Sequence, residues 1–155
     1  MSMELRVGVV GLGMGRNHIP QFNNHPNASV VALADTDMER LKEIADQFGV
    51  QSCYTDYEEM LKKEKLDVLC IALPNFLHKP VTIAGIAAGC HVLCEKPMAM
   101  SAEEAREMMA AADKAGKRLM INFNQRFQEN NRMLKHQIDS GLFGHVYYAR
   151  SVWHR

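Results

Sequence analysis

Glycines alternate with apolar residues directly after a short apolar run, and this arrangement constrains the fold more than any other part of the chain. The run at residues 5–10 is rich in valine and predicts a buried strand. Gly11, Gly13 and Gly15 follow it, and residues 16–24 then have the pattern of a helix. A glycine-rich turn between a buried strand and a helix is typical of the first units of a dinucleotide-binding sheet.

Apolar runs and helical patterns alternate along the rest of the chain. Strands are predicted at residues 29–34, 53–54, 67–73, 91–94 and 118–123, and helices at residues 37–48, 55–63, 78–88, 101–115 and 127–140. Continuous apolar strands joined by helices predict a parallel sheet that is covered on both faces. Because such crossovers are right-handed, we expect an α/β fold with a doubly wound, Rossmann-type sheet.

Three pairs of residues have the spacing of a capping box, in which a hydroxyl residue precedes Glu by three places. These pairs are Thr36 with Glu39, Thr55 with Glu58, and Ser101 with Glu104. Each pair predicts the start of a helix.

Composition bears mainly on the classes of partner. Lys plus Arg and Asp plus Glu each number 18, so the formal net charge is zero. This balance gives no support for a nucleic-acid or anionic-membrane partner. No apolar run approaches the roughly 20 residues that a bilayer-spanning helix needs.

The cysteines predict a reducing environment. They are Cys53, Cys70, Cys90 and Cys94, and none of them forms a C-x-x-C pair. We therefore interpret them as small buried hydrophobic residues of a cytoplasmic protein, and we predict no metal site.

The glycine loop has the residues that a dinucleotide diphosphate needs. Gly11 permits a tight turn, and Gly13 lets the backbone approach the diphosphate. Leu12, Met14 and Gly15 complete the predicted cofactor-binding loop, and backbone N–H groups at the start of the helix would bind the phosphates. A glycine-rich turn without a ligand is the alternative.

The third glycine departs from the common G-x-G-x-x-G pattern. That pattern would place it at position 16, where this chain has Arg16, and Gly15 comes one place early. The loop is therefore a G-x-G-x-G variant.

Asp35 ends the second predicted strand, close to the position where an acidic residue binds the adenosine ribose. A carboxylate there repels a 2′-phosphate, and Thr36 rather than an arginine follows, so NAD is predicted over NADP. Arg40 lies one helical turn further on and could soften that preference, which leaves NADP as an alternative. In a different interpretation, Asp35 only caps the next helix.

The end of the strand at residues 67–73 is a second candidate part of the cofactor site. Leu73, Pro74, Asn75 and His78 lie at this end. Ligands of such folds bind beyond the carboxyl ends of the strands, so Asn75 and His78 are predicted to line the nicotinamide side. Asn75 could also cap the following helix.

Charged side chains follow the next two strands. Glu95, Lys96 and Pro97 end one strand, where Lys96 could take part in proton transfer beside a bound cofactor. Arg126 follows the other and could hold a substrate hydroxyl, a carboxylate or a cofactor phosphate. Alternatively, Lys96 is a solvated surface lysine, and Arg126 forms a salt bridge at the start of a helix.

The last predicted strand differs from the others. Residues 145–153 alternate between apolar and polar, as in a half-exposed strand, and the sequence ends at Arg155. We expect that this strand belongs to a second, truncated domain. The predicted organisation is a dinucleotide-binding domain at residues 1–126, a linking helix at 127–144 and the first strand of the further domain at 145–155.

Taken in order, the motifs resemble those of the Gfo/Idh/MocA family of glucose–fructose oxidoreductases and inositol dehydrogenases. They are residues 7–13, Arg16-x-His18, Ala34-Asp35-x-Asp37, Pro74-Asn75-x-x-His78, Glu95-Lys96-Pro97 and Asn124-Gln125-Arg126-Phe127. The resemblance covers essentially the whole chain and corresponds to the N-terminal half of a full family member.

The resemblance implies NAD(P)-dependent oxidation or reduction at a hydroxyl or carbonyl carbon of a sugar, a polyol or a related small molecule. It implies that Lys96 is the active-site lysine. It also implies a second domain that contributes an acid/base pair, binds the substrate and forms the interface of a homo-oligomer. Two alternatives remain, an NAD-dependent glycosidase of the same family and a non-catalytic dinucleotide-binding module.

Overall fold

The strands that the structure describes form one parallel sheet. A computed structural model describes residues 4–152. Within this range the strands are β1 (Leu5–Val10), β2 (Ala28–Ala34), β3 (Ser52–Tyr54), β4 (Val68–Ile71), β5 (His91–Cys94) and β6 (Leu119–Ile121). Their order in the sheet is β3-β2-β1-β4-β5-β6, and every neighbouring pair is parallel. The predicted doubly wound order is confirmed.

Helices connect and follow these strands. In the described part of the chain they are α1 (Leu12–Gly15), α2 (Ile19–Asn23), α3 (Met38–Phe48), α4 (Tyr57–Lys63), α5 (His78–Ala87), α6 (Ala102–Ala115) and α7 (Glu129–Asp139). Short 3₁₀ turns at Asn75–Leu77 and Asn124–Phe127 precede α5 and α7.

Both faces of the central strands are buried. Val9 and Cys70 belong to one cluster of buried residues, whereas Val10, Leu69 and Ile71 belong to another. Because successive side chains of a strand point to opposite faces, the two clusters lie on opposite sides of the sheet. This explains why β4 and residues 7–10 of β1 have continuous apolar sequences.

The strand order of the sheet reverses between the neighbouring strands β1 and β4. These strands are neighbours, while β2 and β3 lie on one side of them and β5 and β6 on the other. Such a point opens a crevice at the carboxyl ends of the strands, which is where open α/β sheets bind ligands. Gly11 follows β1 at this position.

The helix predicted at residues 16–24 is interrupted. A single helical turn, α1, begins directly after Gly11, and α2 begins only at Ile19. Pro20 explains the break, because proline fits the first turn of a helix but lacks the N–H group and the space that an interior position requires.

Two of the three predicted helix caps are wrong by one residue. Asp37 and Asp56 accept hydrogen bonds from backbone N–H groups of α3 and α4, in the places predicted for Thr36 and Thr55. A carboxylate is the stronger acceptor and its charge also favours the helix N-terminus. Ser101 caps α6 as predicted.

The chain divides into two compact units, and the second begins at Phe123. It contains α7, which begins at Glu129 rather than at the predicted position 127. Residues 145–152 form no strand, so the prediction of one at 145–153 is wrong for its described part, and Trp153 lies outside the described residues. A strand needs a neighbour to satisfy its backbone hydrogen bonds, and these residues have none.

The cysteines partly follow the prediction. Cys70, Cys90 and Cys94 are buried, whereas Cys53 is exposed, so the prediction of burial is wrong for Cys53. All four are free thiols. Every helix within residues 4–152 is too short or too polar to cross a bilayer.

Candidate functional site

Gly11 makes the turn that separates β1 from α1. Its φ of +85° lies in the left-handed region, and a Cβ atom there would be 2.5 Å from the backbone oxygen of Ala72. Any other residue would therefore be strained and would also collide with the loop after β4. Gly11 thus makes a tight turn, as predicted, and it also holds the loop close to the sheet.

Gly15 has the packing role of the third glycine in the common G-x-G-x-x-G pattern. A Cβ atom on it would be 2.9 Å from Val9 Cγ1 and 3.4 Å from Ala72 Cβ. Close packing of the first helix against the strands is the usual reason for that glycine. Because α1 begins immediately after Gly11, this contact falls one residue early, and Arg16 is left exposed.

Gly13 faces open space. A Cβ atom on it would meet no other atom within 4 Å, and both Gly13 and Met14 are exposed. The N–H groups at the start of a helix have no acceptor within that helix. The loop is thus closed against the sheet at Gly11 and Gly15 and open to an approaching ligand at Gly13.

Asp35 connects the end of β2 to the glycine loop. Its Oδ2 atom accepts a hydrogen bond from Leu12 N at 2.7 Å, and its Oδ1 atom accepts one from Asp37 N at 2.9 Å. Leu12 is fully buried, so its N–H group serves Asp35 and not a ligand. The interpretation of Asp35 as the cap of α3 is wrong, because Asp37 has that role.

Arg40 forms ion pairs with two aspartates. Its Nη1 atom is 3.3 Å from each oxygen of Asp35, and its Nη2 atom is 2.8 Å from Asp37 Oδ2. The Arg40 side chain is 40% exposed, and Thr36 is exposed beside it. The structure thus brings Arg40 into contact with Asp35 at the end of β2, and Thr36 follows Asp35 in the chain.

His78 lies beneath the carboxyl edge of the sheet and not on it. The side chain is fully buried, with Nδ1 2.7 Å from Pro97 O and Nε2 2.9 Å from Leu73 O. Its ring therefore connects the loop after β4 to the loop after β5. Both ring nitrogens therefore already have a backbone carbonyl partner, and the ring is not exposed at the edge.

Pro74 and Asn75 remain at the surface of the edge. Both residues are exposed, while Leu73 is half-buried. The alternative interpretation of Asn75 as the cap of α5 is wrong, because Asn75 lies in the 3₁₀ turn before that helix and makes no capping hydrogen bond.

Glu95 is the centre of a polar cluster at the end of β5. Its Oε1 atom is 2.9 Å from His18 Nε2 and 2.8 Å from Asn122 Nδ2, and its Oε2 atom accepts a hydrogen bond from Lys96 N at 3.2 Å. Burial acts to raise the pKa of this carboxyl group, but the hydrogen bonds outweigh it and hold the pKa below the ordinary value.

His18 and Asn122 were not predicted as site residues. Their separations from Glu95 are 77 and 27 residues, so no local spacing connects them. The available signal was that Asn122 follows a strand, at the same edge as the other candidates.

Lys96 has its backbone fixed on both sides. Its N–H group is held by Glu95, and the carbonyl group of Pro97 faces His78. The Lys96–Pro97 peptide bond is cis. The Lys96 side chain itself is exposed, so its ammonium group is accessible from the edge.

Arg126 belongs to the second compact unit. It lies in the 3₁₀ turn Asn124–Phe127, and its guanidinium carbon is 5.4 Å from the centre of the Phe123 ring. The first unit brings all the other predicted site residues to, or just beneath, the carboxyl edge of one sheet. Among the described residues, no group of three or more His, Cys, Asp or Glu side chains could hold a metal ion.

Comparisons with known proteins agree with this geometry. The sequence model named GFO_IDH_MocA, which describes an oxidoreductase family with an NAD-binding Rossmann fold, matches residues 5–123. The chain is 35% identical to D-glucoside 3-dehydrogenase of Escherichia coli (strain K12) over 94% of its length, which is 42% of that protein. It is 30% identical to myo-inositol 2-dehydrogenase of Thermotoga maritima over 94% of its length and 44% of that protein.

Solved structures have the same architecture. The WlbA dehydrogenase from Bordetella pertussis, in complex with NADH and UDP-GlcNAcA, matches with a TM-score of 0.88 at 34% identity. The match covers 93% of this chain and 44% of that one. The chain therefore spans less than half the length of the relatives described.

Proposed function

Because the chain belongs to the Gfo/Idh/MocA oxidoreductase family, with its NAD-binding Rossmann fold, we propose that it is the NAD-binding part of a dehydrogenase. The enzyme would act on a CH–OH group of a sugar, a polyol or a related small molecule. The dehydrogenase names of the relatives support this activity and disfavour the glycosidase alternative.

The observation that carries the proposal is the shape of the glycine loop. The chain approaches the sheet closely at Gly11 and Gly15 but leaves open space beyond Gly13. A diphosphate fits such a cradle, because it needs close approach to backbone N–H groups without a side chain between them. The N–H groups of Gly13 and Met14 would bind it.

Asp35 would select the adenosine end. Its carboxylate accepts two backbone N–H groups, and Arg40 Nη1 is a second donor to each oxygen. The ribose hydroxyls would take the place of the Arg40 donor, whose side chain is 40% exposed, and the charge of Asp35 opposes a 2′-phosphate. We expect NAD to bind more tightly than NADP, with Arg40 providing the remaining affinity for the phosphate.

Lys96 would act at the other end of the cofactor. Bound NAD supplies the group that accepts or returns a hydride. The exposed ammonium group of Lys96 would bind oxygens of the nicotinamide half and move the proton at the substrate oxygen. If the chain were only a dinucleotide-binding module, Lys96→Ala would change cofactor affinity and no other measurable property.

Substrate selection and assembly would depend on a part that the relatives have in addition to the matched one. The relatives are more than twice the matched length, so the residues that hold the substrate would lie outside the matched part. We propose a homo-oligomer for the full-length parent. The four free cysteines agree with a cytoplasmic location.

Gly13→Ala tests the proposal against a simple glycine-rich turn. The methyl group meets no protein atom and improves helix propensity, so we expect unchanged or slightly higher thermal stability. The same methyl group would occupy the space of the diphosphate, so NAD affinity should fall about tenfold or more in calorimetric titration.

Gly116→Ala is the matched control. Gly116 caps α6 with a φ of +63°, at the opposite end of the strands. This variant should lose about 1 kcal/mol of stability and keep its NAD affinity. A wild-type chain that binds no NAD, or equal affinities for wild type and Gly13→Ala, would contradict the proposal.

A further inference from the structure

We propose that His18 is a positioning residue for Lys96, acting through the carboxylate of Glu95. This inference rests on the proposed NAD site and adds a residue to it. His18 holds Glu95, and Glu95 in turn holds the backbone N–H group of Lys96.

The contacts form a continuous path from the glycine loop to the lysine. The His18 N–H group donates a hydrogen bond to Gly15 O at 2.9 Å, which fixes His18 to the end of α1. Its Nε2 atom lies 2.9 Å from Glu95 Oε1, and Glu95 Oε2 accepts the hydrogen bond from Lys96 N. The loop that would bind the diphosphate is thus connected to the segment that would serve the nicotinamide.

The cluster is built to keep the carboxylate in one orientation. The side chains of His18 and Glu95 are 16% and 15% exposed. The hydrogen bonds to Glu95 lower its pKa, so its carboxylate is ionised at neutral pH and can only accept hydrogen bonds. His18 Nε2 and Asn122 Nδ2 are therefore both donors to it. Hydrogen bonds to a charged group are stronger than those between neutral groups.

Loss of the His18 donor should affect the two halves of the cofactor differently. Asn122 would still hold Oε1 from one side, but the Glu95 side chain could rotate and release the N–H group of Lys96. Lys96 would then sample more positions, which lowers its contribution to the nicotinamide half. The adenosine half would keep Asp35 and the glycine loop unchanged.

Binding of ADP-ribose and NAD⁺ by the same variants separates these effects, because ADP-ribose lacks only the nicotinamide. For His18→Phe we expect about a fivefold to tenfold loss of NAD⁺ affinity, with ADP-ribose affinity within about twofold of wild type. His18→Gln retains a donor and should recover NAD⁺ affinity to within about twofold. His25→Phe, at the opposite edge of the sheet, should change neither affinity.

A double-mutant cycle identifies Lys96 as the group through which His18 acts. Lys96→Ala alone should weaken NAD⁺ binding, and in the His18→Phe background it should cause little further loss. Losses that add in full would overturn the proposal, as would equal weakening of ADP-ribose and NAD⁺ by His18→Phe. If His18→Phe does not fold, Glu95→Gln should give the same selective loss.

The same measurements distinguish this inference from the proposed function. A wild-type chain that binds neither ligand contradicts the NAD site itself. A wild-type chain that binds both, with an unchanged ratio of affinities in every His18 variant, contradicts only the positioning role.

Discussion

Asp35 and Glu95 are both carboxylates at the carboxyl ends of strands, yet they are held by different kinds of partner. Asp35 is held by two backbone N–H groups and by Arg40, which lies five residues away. Glu95 is held by two side chains from distant parts of the chain and by the N–H group of its own neighbour.

The difference concerns what each carboxylate stabilises. The Asp35 partners include the buried N–H group of Leu12, so the glycine loop depends on this side chain for its shape. Two of the Glu95 partners, His18 and Asn122, are polar side chains that are only partly buried. We infer that Asp35 matters mainly for folding of the loop, and Glu95 mainly for the placement of one segment.

The largest expected effect is that of Asp35→Ala on stability. The change leaves the N–H groups of Leu12 and Asp37 without their acceptor, and the first of these is buried. We expect the free energy of unfolding to fall by about 3 kcal/mol in urea denaturation. Asp37→Ala, which removes the cap of α3 and a partly exposed ion pair with Arg40, should cost about 1 kcal/mol. Equal losses would remove the distinction between these two aspartates.

A smaller effect is expected for Glu95→Gln, and it should depend on pH. The native pKa of Glu95 lies below its ordinary value of 4.5, so the ionised carboxylate stabilises the folded state above that pH. The advantage of wild type over Glu95→Gln, about 1–2 kcal/mol near neutral pH, should decline as the pH falls through the lowered native pKa.

Urea denaturation at several pH values measures this advantage. Glu43→Gln, on the exposed side of α3, serves as the control and should change the free energy of unfolding little at neutral pH. A difference between wild type and Glu95→Gln that stays constant with pH would mean that the charge of Glu95 contributes nothing.

The smallest effect on stability is expected for Arg40→Met. Its ion pairs are partly exposed, so the loss should be under about 1 kcal/mol. Its effect on cofactor choice should be clearer, with NADP affinity reduced about fivefold and NAD affinity changed less than about twofold. Arg106→Met, on exposed α6, should alter neither. A larger loss for NAD than for NADP would refute the role given to Arg40.

The sequence was sufficient for the features that depend on neighbouring residues. Apolar periodicity predicted β1 to β6 but also a strand at 145–153 that the described residues do not form. The ordered motifs predicted the family, which the comparisons confirm. The sequence was less informative where two adjacent residues could fill the same role. Thr36 and Asp37 could both cap α3, and the structure has Asp37 as the cap. Pro20 likewise divided a helix that the apolar pattern alone made continuous.

Contacts between distant segments could not be predicted at all. The contact between His18 and Glu95 requires the α1–α2 turn to lie beside the end of β5, which only the folded sheet determines. His78 illustrates the same limit, because its motif predicted a place at the edge, whereas its burial between two carbonyl groups depends on how two loops pack.

The early position of Gly15 has a consequence for protein engineering. The double substitution Gly15→Arg and Arg16→Gly would give the chain the common G-x-G-x-x-G sequence. It would also force a long side chain into the gap between Val9 and Ala72, where even a methyl group is too close. A substitution chosen only to match the consensus sequence would therefore damage this loop. The distance from each loop residue to the strands is the better guide to which position must remain glycine.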